Sequence, residues 1–146
     1  MMAMGNMPPS AMKEFLMRQK VVLIIDDDKE FIEELQDALL SSGIVAVVVD
    51  EGYDTVSAAR KIQPDAILID YRLRKGDGLA VARKLRAAPD TARIPIVLMS
   101  GYFGRSDTLR PAYTTCVDAC LSKPFNQRDV VMTIGTVLTS RGHLNK

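Results

Sequence analysis

From Val21 onward, short apolar runs alternate with amphipathic stretches. The runs are Val21–Ile25, Ile44–Val49, Ala66–Ile69, Ile96–Met99 and Ala119–Ser122. The first four are dominated by β-branched residues or leucine, and none alternates polar with apolar. Such runs predict strands covered on both faces, as in a parallel sheet. Between them the apolar spacing changes to that of helices. Phe31, Ile32, Leu35, Ala38 and Leu39 line one face of a first helix that Asp28 caps and Gly43 stops. A second helix spans about Tyr53 to Ile62 and ends before Pro64. A third, Leu79 to Ala87, turns Leu79, Ala82 and Leu85 inward and ends before Pro89.

The fourth helix is constrained by Pro111, which would break a helix begun at Ser106. With Thr108 as N-cap, Pro111 falls in the first turn, where no intrahelical donor is needed. Leu109, Ala112, Tyr113 and Cys116 then form its stripe, after a glycine-containing loop over Ser100–Asp107. The last helix starts at Asn126, with Asp129 three residues on, and buries Val130, Val131, Ile134, Val137 and Leu138. Alternating strand and helix with right-handed crossovers predicts a doubly wound (βα)5 fold of the α/β class. Ligands in such sheets bind outside the carboxyl ends of the strands, where strand order reverses.

Composition narrows the picture mainly by exclusion. A chain of 146 residues, 47% hydrophobic and 25% charged, is ordinary for one folded domain. Its longest apolar run, Ile44–Val49, is far short of the roughly 20 residues of a membrane span. The N-terminus lacks the basic start and apolar run of a secretory signal. A net charge of +1 calls for neither nucleic acid nor an anionic membrane as a direct partner. Cys116, Cys120 and His143 cannot supply the four nitrogen or sulfur ligands of a structural zinc site, and two reduced thiols suit a cytoplasmic protein. Residues 1–19, rich in methionine, look like a leader, either forming a short helix over Ser10–Gln19 or disordered. The predicted functional domain is 20–141, with 142–146 as a tail.

The residues that follow the runs have a common character. Asp26, Asp27 and Asp28 follow the first, Asp70 the third and Ser100 the fourth, while Lys123 and Pro124 follow the last. Strand ends in such a sheet converge on one rim, so carboxylates, a hydroxyl and an ammonium meet there. Carboxylates held close repel one another, and a divalent cation removes the conflict. Hard oxygen ligands with room for water suit Mg²⁺. A metal there neutralises charge on an incoming phosphoryl group, with Lys123 and the Ser100 hydroxyl on its other oxygens. Asp70, alone at the end of its run, is the candidate nucleophile.

Taken singly, each residue has an ordinary explanation as cap, turn or surface charge. Taken in register, they resemble the receiver domain of two-component response regulators. The resemblance rests on Val22-Leu23-Ile24-Ile25-Asp26-Asp27-Asp28, Ile67-Leu68-Ile69-Asp70 with Asp77-Gly78-Leu79 downstream, Val97-Leu98-Met99-Ser100-Gly101, and Leu121-Ser122-Lys123-Pro124-Phe125. It covers about Lys20 to Ser140. It implies a flavodoxin-like sheet of strand order 2-1-3-4-5. It also implies that Asp70 accepts a phosphoryl group from a histidine kinase or histidine phosphotransfer protein. Asp26, Asp27, Asp70 and the backbone carbonyl of Arg72 would hold Mg²⁺, Ser100 would be the switch hydroxyl and Lys123 the partner lysine. Arg72 and Tyr102 would flank the approach of water to the phosphorylated Asp70. The output would be a change of partner binding, by a stand-alone regulator or a fragment of a larger one. The face of fourth helix, fifth strand and fifth helix is a candidate homodimer surface.

Two positions depart from the family pattern. Arg74 stands where proline is common, and Cys120 replaces the aromatic residue usual three positions before the lysine. Cys120 is expected to be a small core residue rather than a redox sensor. The receiver reading has two competitors. An aspartyl-phosphate hydrolase of haloacid dehalogenase type would carry an Asp-x-Asp pair with its nucleophile after the first strand, whereas here the aspartates there are contiguous. A degenerate receiver, docking without phosphorylation, would not need Asp27, Asp70, Ser100 and Lys123 together.

Overall fold

A computed structural model describes residues 8–11, 19–50, 54–74, 76–100, 116–122 and 125–144. Its elements run β1 (Lys20–Ile25), α1 (Lys29–Ser41), β2 (Ile44–Val48), α2 (Thr55–Ile62), β3 (Ala66–Asp70), β4 (Arg72–Leu73), β5 (Gly76–Asp77), α3 (Gly78–Ala87), β6 (Ile96–Ser100), β7 (Ala119–Ser122) and α4 (Gln127–Leu144). Five strands form one sheet in the order β2-β1-β3-β6-β7, and every neighbouring pair is parallel. Without the two-residue strands β4 and β5, this is the expected 2-1-3-4-5 order.

Successive side chains of the central strands feed two cores. On one face Val22, Ile24, Leu68 and Met99 pack with Ile32, Leu35 and Leu39 of α1 and Val130, Ile134 and Val137 of α4. On the other, Leu23, Ile25, Ile67, Ile69 and Leu98 meet Ala59 of α2 and Leu79, Ala82 and Leu85 of α3. Strands β3 and β6 are buried along their whole length. The edge strands differ from the expectation of cover on both faces. In β7, Ala119 and Leu121 pack inward while Cys120 and Ser122 are exposed, and β2 is only half-buried. Cys120 is therefore not a core residue.

The helix ends follow local chemistry. The Asp28 side chain accepts from the Phe31 N–H at 3.2 Å, and Gly43, at φ +80°, lets the chain leave α1 for β2. Asp54, unforeseen as a cap, accepts from the N–H groups of Val56 and Ser57 and from the Ser57 hydroxyl. Those bonds, led by the hydroxyl, hold its carboxyl below the usual range. It sets the start of α2 at Thr55. Asn126 and Asp129 exchange side chain and backbone reciprocally at 2.9 and 3.1 Å, the box expected at the start of the last helix. At the pole of the sheet away from the acids, Arg86 donates to the carbonyls of Ala92 and Ile94 and to Asp118, which also accepts from the Ile96 N–H.

The expected fourth helix and the loop before it, residues 101–115, lie outside the described residues, as do Lys123 and Pro124. Most of the leader and its expected helix also lies outside them. Among the described residues no helix is long and apolar enough to cross a membrane.

Candidate functional site at the carboxyl edge of the sheet

Parallel pairing places the carboxyl ends of β1 and β3 side by side, with Ile25 opposite Ile69. The next residues, Asp26 and Asp70, are both buried although they carry carboxylates. Asp27 stands beside them, partly exposed. One carboxylate oxygen from each of Asp26, Asp27 and Asp70 lies within 4.8 Å of the others. The backbone orients two of the three. The Asp28 N–H donates to Asp26 Oδ1 at 3.0 Å, and the Arg72 N–H approaches Asp70 Oδ1 at 3.4 Å.

Ser100 ends β6, one residue past Met99, the register partner of Asp70. It is buried, and it pairs in register with Ser122 at the end of β7. The next residue, Lys123, is outside the described residues. Phe125, the first described residue beyond it, packs edge-on against Phe31 of α1, with ring centroids 5.7 Å apart. The structure thus brings Asp26, Asp27, Asp70, Arg72 and Ser100 to one edge.

The donor set decides which ion could be held. Three carboxylates contribute hard oxygen atoms and no nitrogen or sulfur, which suits Mg²⁺ or Ca²⁺ and disfavours zinc. Asp27 leaves one side of the group open to solvent, so bound water can complete the coordination of a small, reluctantly dehydrated cation. The residues present fit magnesium.

Two features of the site escaped the sequence reading. The short antiparallel ribbon β4–β5 follows Asp70 directly, and its turn carries Arg74, whose Nε lies 3.4 Å from Asp27 Oδ2. Only the departure at Arg74 from the family pattern hinted at it. The second feature is Gly78. Its N–H donates to the Tyr71 carbonyl at 2.7 Å. A β-carbon built on it would overlap the Asp70 carbonyl oxygen and lie 2.7 Å from Ile69 Cγ2. The first turn of α3 is thus pressed against the backbone that carries Asp70.

A doubly wound parallel sheet with an acidic cluster at the carboxyl end of its central strands defines a class of domains able to hold a divalent cation at that edge. The response regulator receiver domain family matches residues 22–135, and the chain belongs to that family. It is 30% identical over 118 residues to the DNA-binding response regulator MtrA of Mycobacterium tuberculosis, covering 81% of this chain and 50% of that protein. The chain spans about half the length of such curated relatives. A two-component response regulator from Clostridium difficile superposes with a TM-score of 0.66 at 28% identity, over 83% of this chain and 97% of that one. The receiver domain of the sensor histidine kinase PA1611 from Pseudomonas aeruginosa, solved with magnesium in its active site cleft, gives a TM-score of 0.71 at 24% identity. It covers 83% of this chain and 98% of its own. The family match favours neither the hydrolase nor the degenerate docking module.

Proposed function

We propose that this receiver domain, over residues 20–141, is a phosphoacceptor whose covalent state switches partner binding. The observation that carries the reading is the meeting of Asp26, Asp27 and Asp70 oxygens within 4.8 Å at the carboxyl edge of the sheet. Asp70 is the acceptor. A carboxylate oxygen of Asp70 forms a bond to phosphorus as the bond to the donor's histidine nitrogen breaks, and the departing imidazole takes a proton from solvent. Asp26, Asp27, Asp70 and the Arg72 carbonyl would hold Mg²⁺, which would supply positive charge to offset that of the transferring group. Ser100 and Lys123 bind the remaining phosphoryl oxygens. The magnesium-bearing receiver of PA1611 and the donor set here support the metal assignment.

The donor is a histidine kinase or a histidine phosphotransfer protein in the cytoplasm, and the chain itself serves as acceptor rather than enzyme. The relative MtrA is a DNA-binding response regulator, of which this chain matches half; the output proposed here is a change in binding to a partner. Arg72 and Tyr102, flanking the path of water, would slow hydrolysis of the acyl phosphate; Arg72 is exposed on β4, and Tyr102 lies outside the described residues.

The test is incubation with acetyl phosphate and Mg²⁺ followed by intact mass. Wild type is expected to gain one phosphoryl group. Asp70→Asn and wild type in EDTA are expected to gain none. Modification of Asp70→Asn at the wild-type rate would refute the assignment.

A further inference from the structure

The group of acids at the sheet edge is faced by a cation that the receiver reading does not use. Arg74 lies in the turn of the β4–β5 ribbon, whose strands pair Arg72 with Asp77 and Leu73 with Gly76. The ribbon is anchored at its base, because Tyr71 donates to the Met99 carbonyl at 2.8 Å and accepts from Gly78 at 2.7 Å. This short, tethered turn projects Arg74 back over β1, so that its Nε reaches Asp27 Oδ2 at 3.4 Å. The Arg74 side chain is 74% exposed and that of Asp27 32%. The guanidinium therefore approaches from the solvent side, the same open side by which an ion would enter.

We propose that Arg74 is a built-in competitor of the divalent cation, occupying Asp27 when the metal is absent and giving it up when the metal binds. This rests on the reading of Asp27 as a metal ligand. A guanidinium and a divalent cation held on one carboxylate repel each other, whichever of its two oxygens each takes. Metal binding must therefore either break the Arg74–Asp27 pair or accept repulsion from it. Breaking it is feasible because exposed ion pairs of this kind are weak. Arg74 keeps the acidic pocket partly neutralised without metal and raises the concentration of Mg²⁺ at which the pocket fills. Where proline stands at this position, the chain has no such tethered charge. Arg74 is thus a residue that sets metal affinity rather than one that touches the phosphoryl group.

The experiment is calorimetric titration of the full chain with MgCl₂, with no phosphodonor present, on wild type, Arg74→Gln, Arg74→Lys and Asp27→Asn. Arg74→Gln is expected to bind Mg²⁺ about two- to fivefold more tightly than wild type, the range set by a weak exposed pair. Arg74→Lys, which keeps the charge, is expected to stay within about twofold of wild type, and raising KCl is expected to shrink the gap between wild type and Arg74→Gln by screening. Equal affinity of wild type and Arg74→Gln, with Asp27→Asn still greatly weakened, would overturn this inference and leave the metal reading standing. A gap that is insensitive to salt, or that Arg74→Lys reproduces in full, would also overturn it, because the effect would then not be one of charge. Binding by Asp27→Asn as tight as wild type, or no binding by wild type, would remove the metal reading and this inference with it.

Discussion

At the scale of single residues, Cys120 shows how access and reactivity separate. The residue is exposed along β7, yet desolvation pushes its thiol up to about 11, from a usual value of 9.0. Exposure governs whether a reagent can arrive, and desolvation governs how much thiolate awaits it. At pH 8 a rise of this size cuts the thiolate fraction roughly a hundredfold, while the greater nucleophilicity of the more basic thiolate recovers somewhat under tenfold. Alkylation of Cys120 by iodoacetamide in a Cys116→Ser background is therefore expected to be about tenfold slower at pH 8 than that of a free cysteine peptide. Equal rates would show that the sulfur is as well solvated as in the peptide. The linkage has one sign: the folded state holds the proton more firmly, so the contribution to stability is full below pH 9 and is lost as pH rises towards about 11. The expected place of Cys120 in the core was wrong, because it lies on the exposed side of the edge strand β7.

At the scale of elements, what was legible was what is local. Asp28 before Phe31-Ile32 and Asn126 before Asp129 announce helix starts within four residues, and both caps form as read. Asp54 carries the same signal, a capping side chain just ahead of Val56, but the helix was expected to start ahead of this cap, at about Tyr53. The ribbon β4–β5 could not be read, because two-residue strands have no period to detect. Nor could the Arg74–Asp27 pair, which joins residues far apart in the chain through the fold alone. Gly78 lies between these cases. Its place after Asp77 marks a helix start, but the need for glycine comes from the Asp70 carbonyl pressed behind it. Gly78→Ala is expected to force α3 away from β3 and to destabilise the fold by about 1–3 kcal/mol, the usual cost of overpacking. Because the displaced backbone carries Asp70, phosphorylation by acetyl phosphate should slow as well. Urea denaturation and intact-mass time courses check the two effects. A variant with unchanged stability would mean that the helix adjusts freely at this contact.

At the scale of the whole molecule, the two cores explain why so acidic an edge is tolerated. Strands β1, β3 and β6 are clamped between layers of apolar side chains, so the sheet ends are fixed and the carboxylates cannot spread apart to relieve their repulsion. On the proposed metal reading, a cation bound at this edge would stabilise the native state, and metal binding and folding would be linked. A ligand that binds only the native state at ten times its dissociation constant stabilises that state by about 1.4 kcal/mol. For a chain of 146 residues this corresponds to a rise in melting temperature of roughly 3–5 °C. MgCl₂ at that concentration is expected to produce such a rise in wild type. NaCl at matched ionic strength is expected to produce much less, because screening acts on every surface charge while coordination acts at one site. Asp27→Asn should lose most of the magnesium-specific rise while keeping the salt response, since it removes a proposed ligand and Asp27 belongs to neither core. Thermal melts monitored by circular dichroism separate the two contributions. An Asp27→Asn protein that gains as much from Mg²⁺ as wild type would place the stabilising ion somewhere other than this edge.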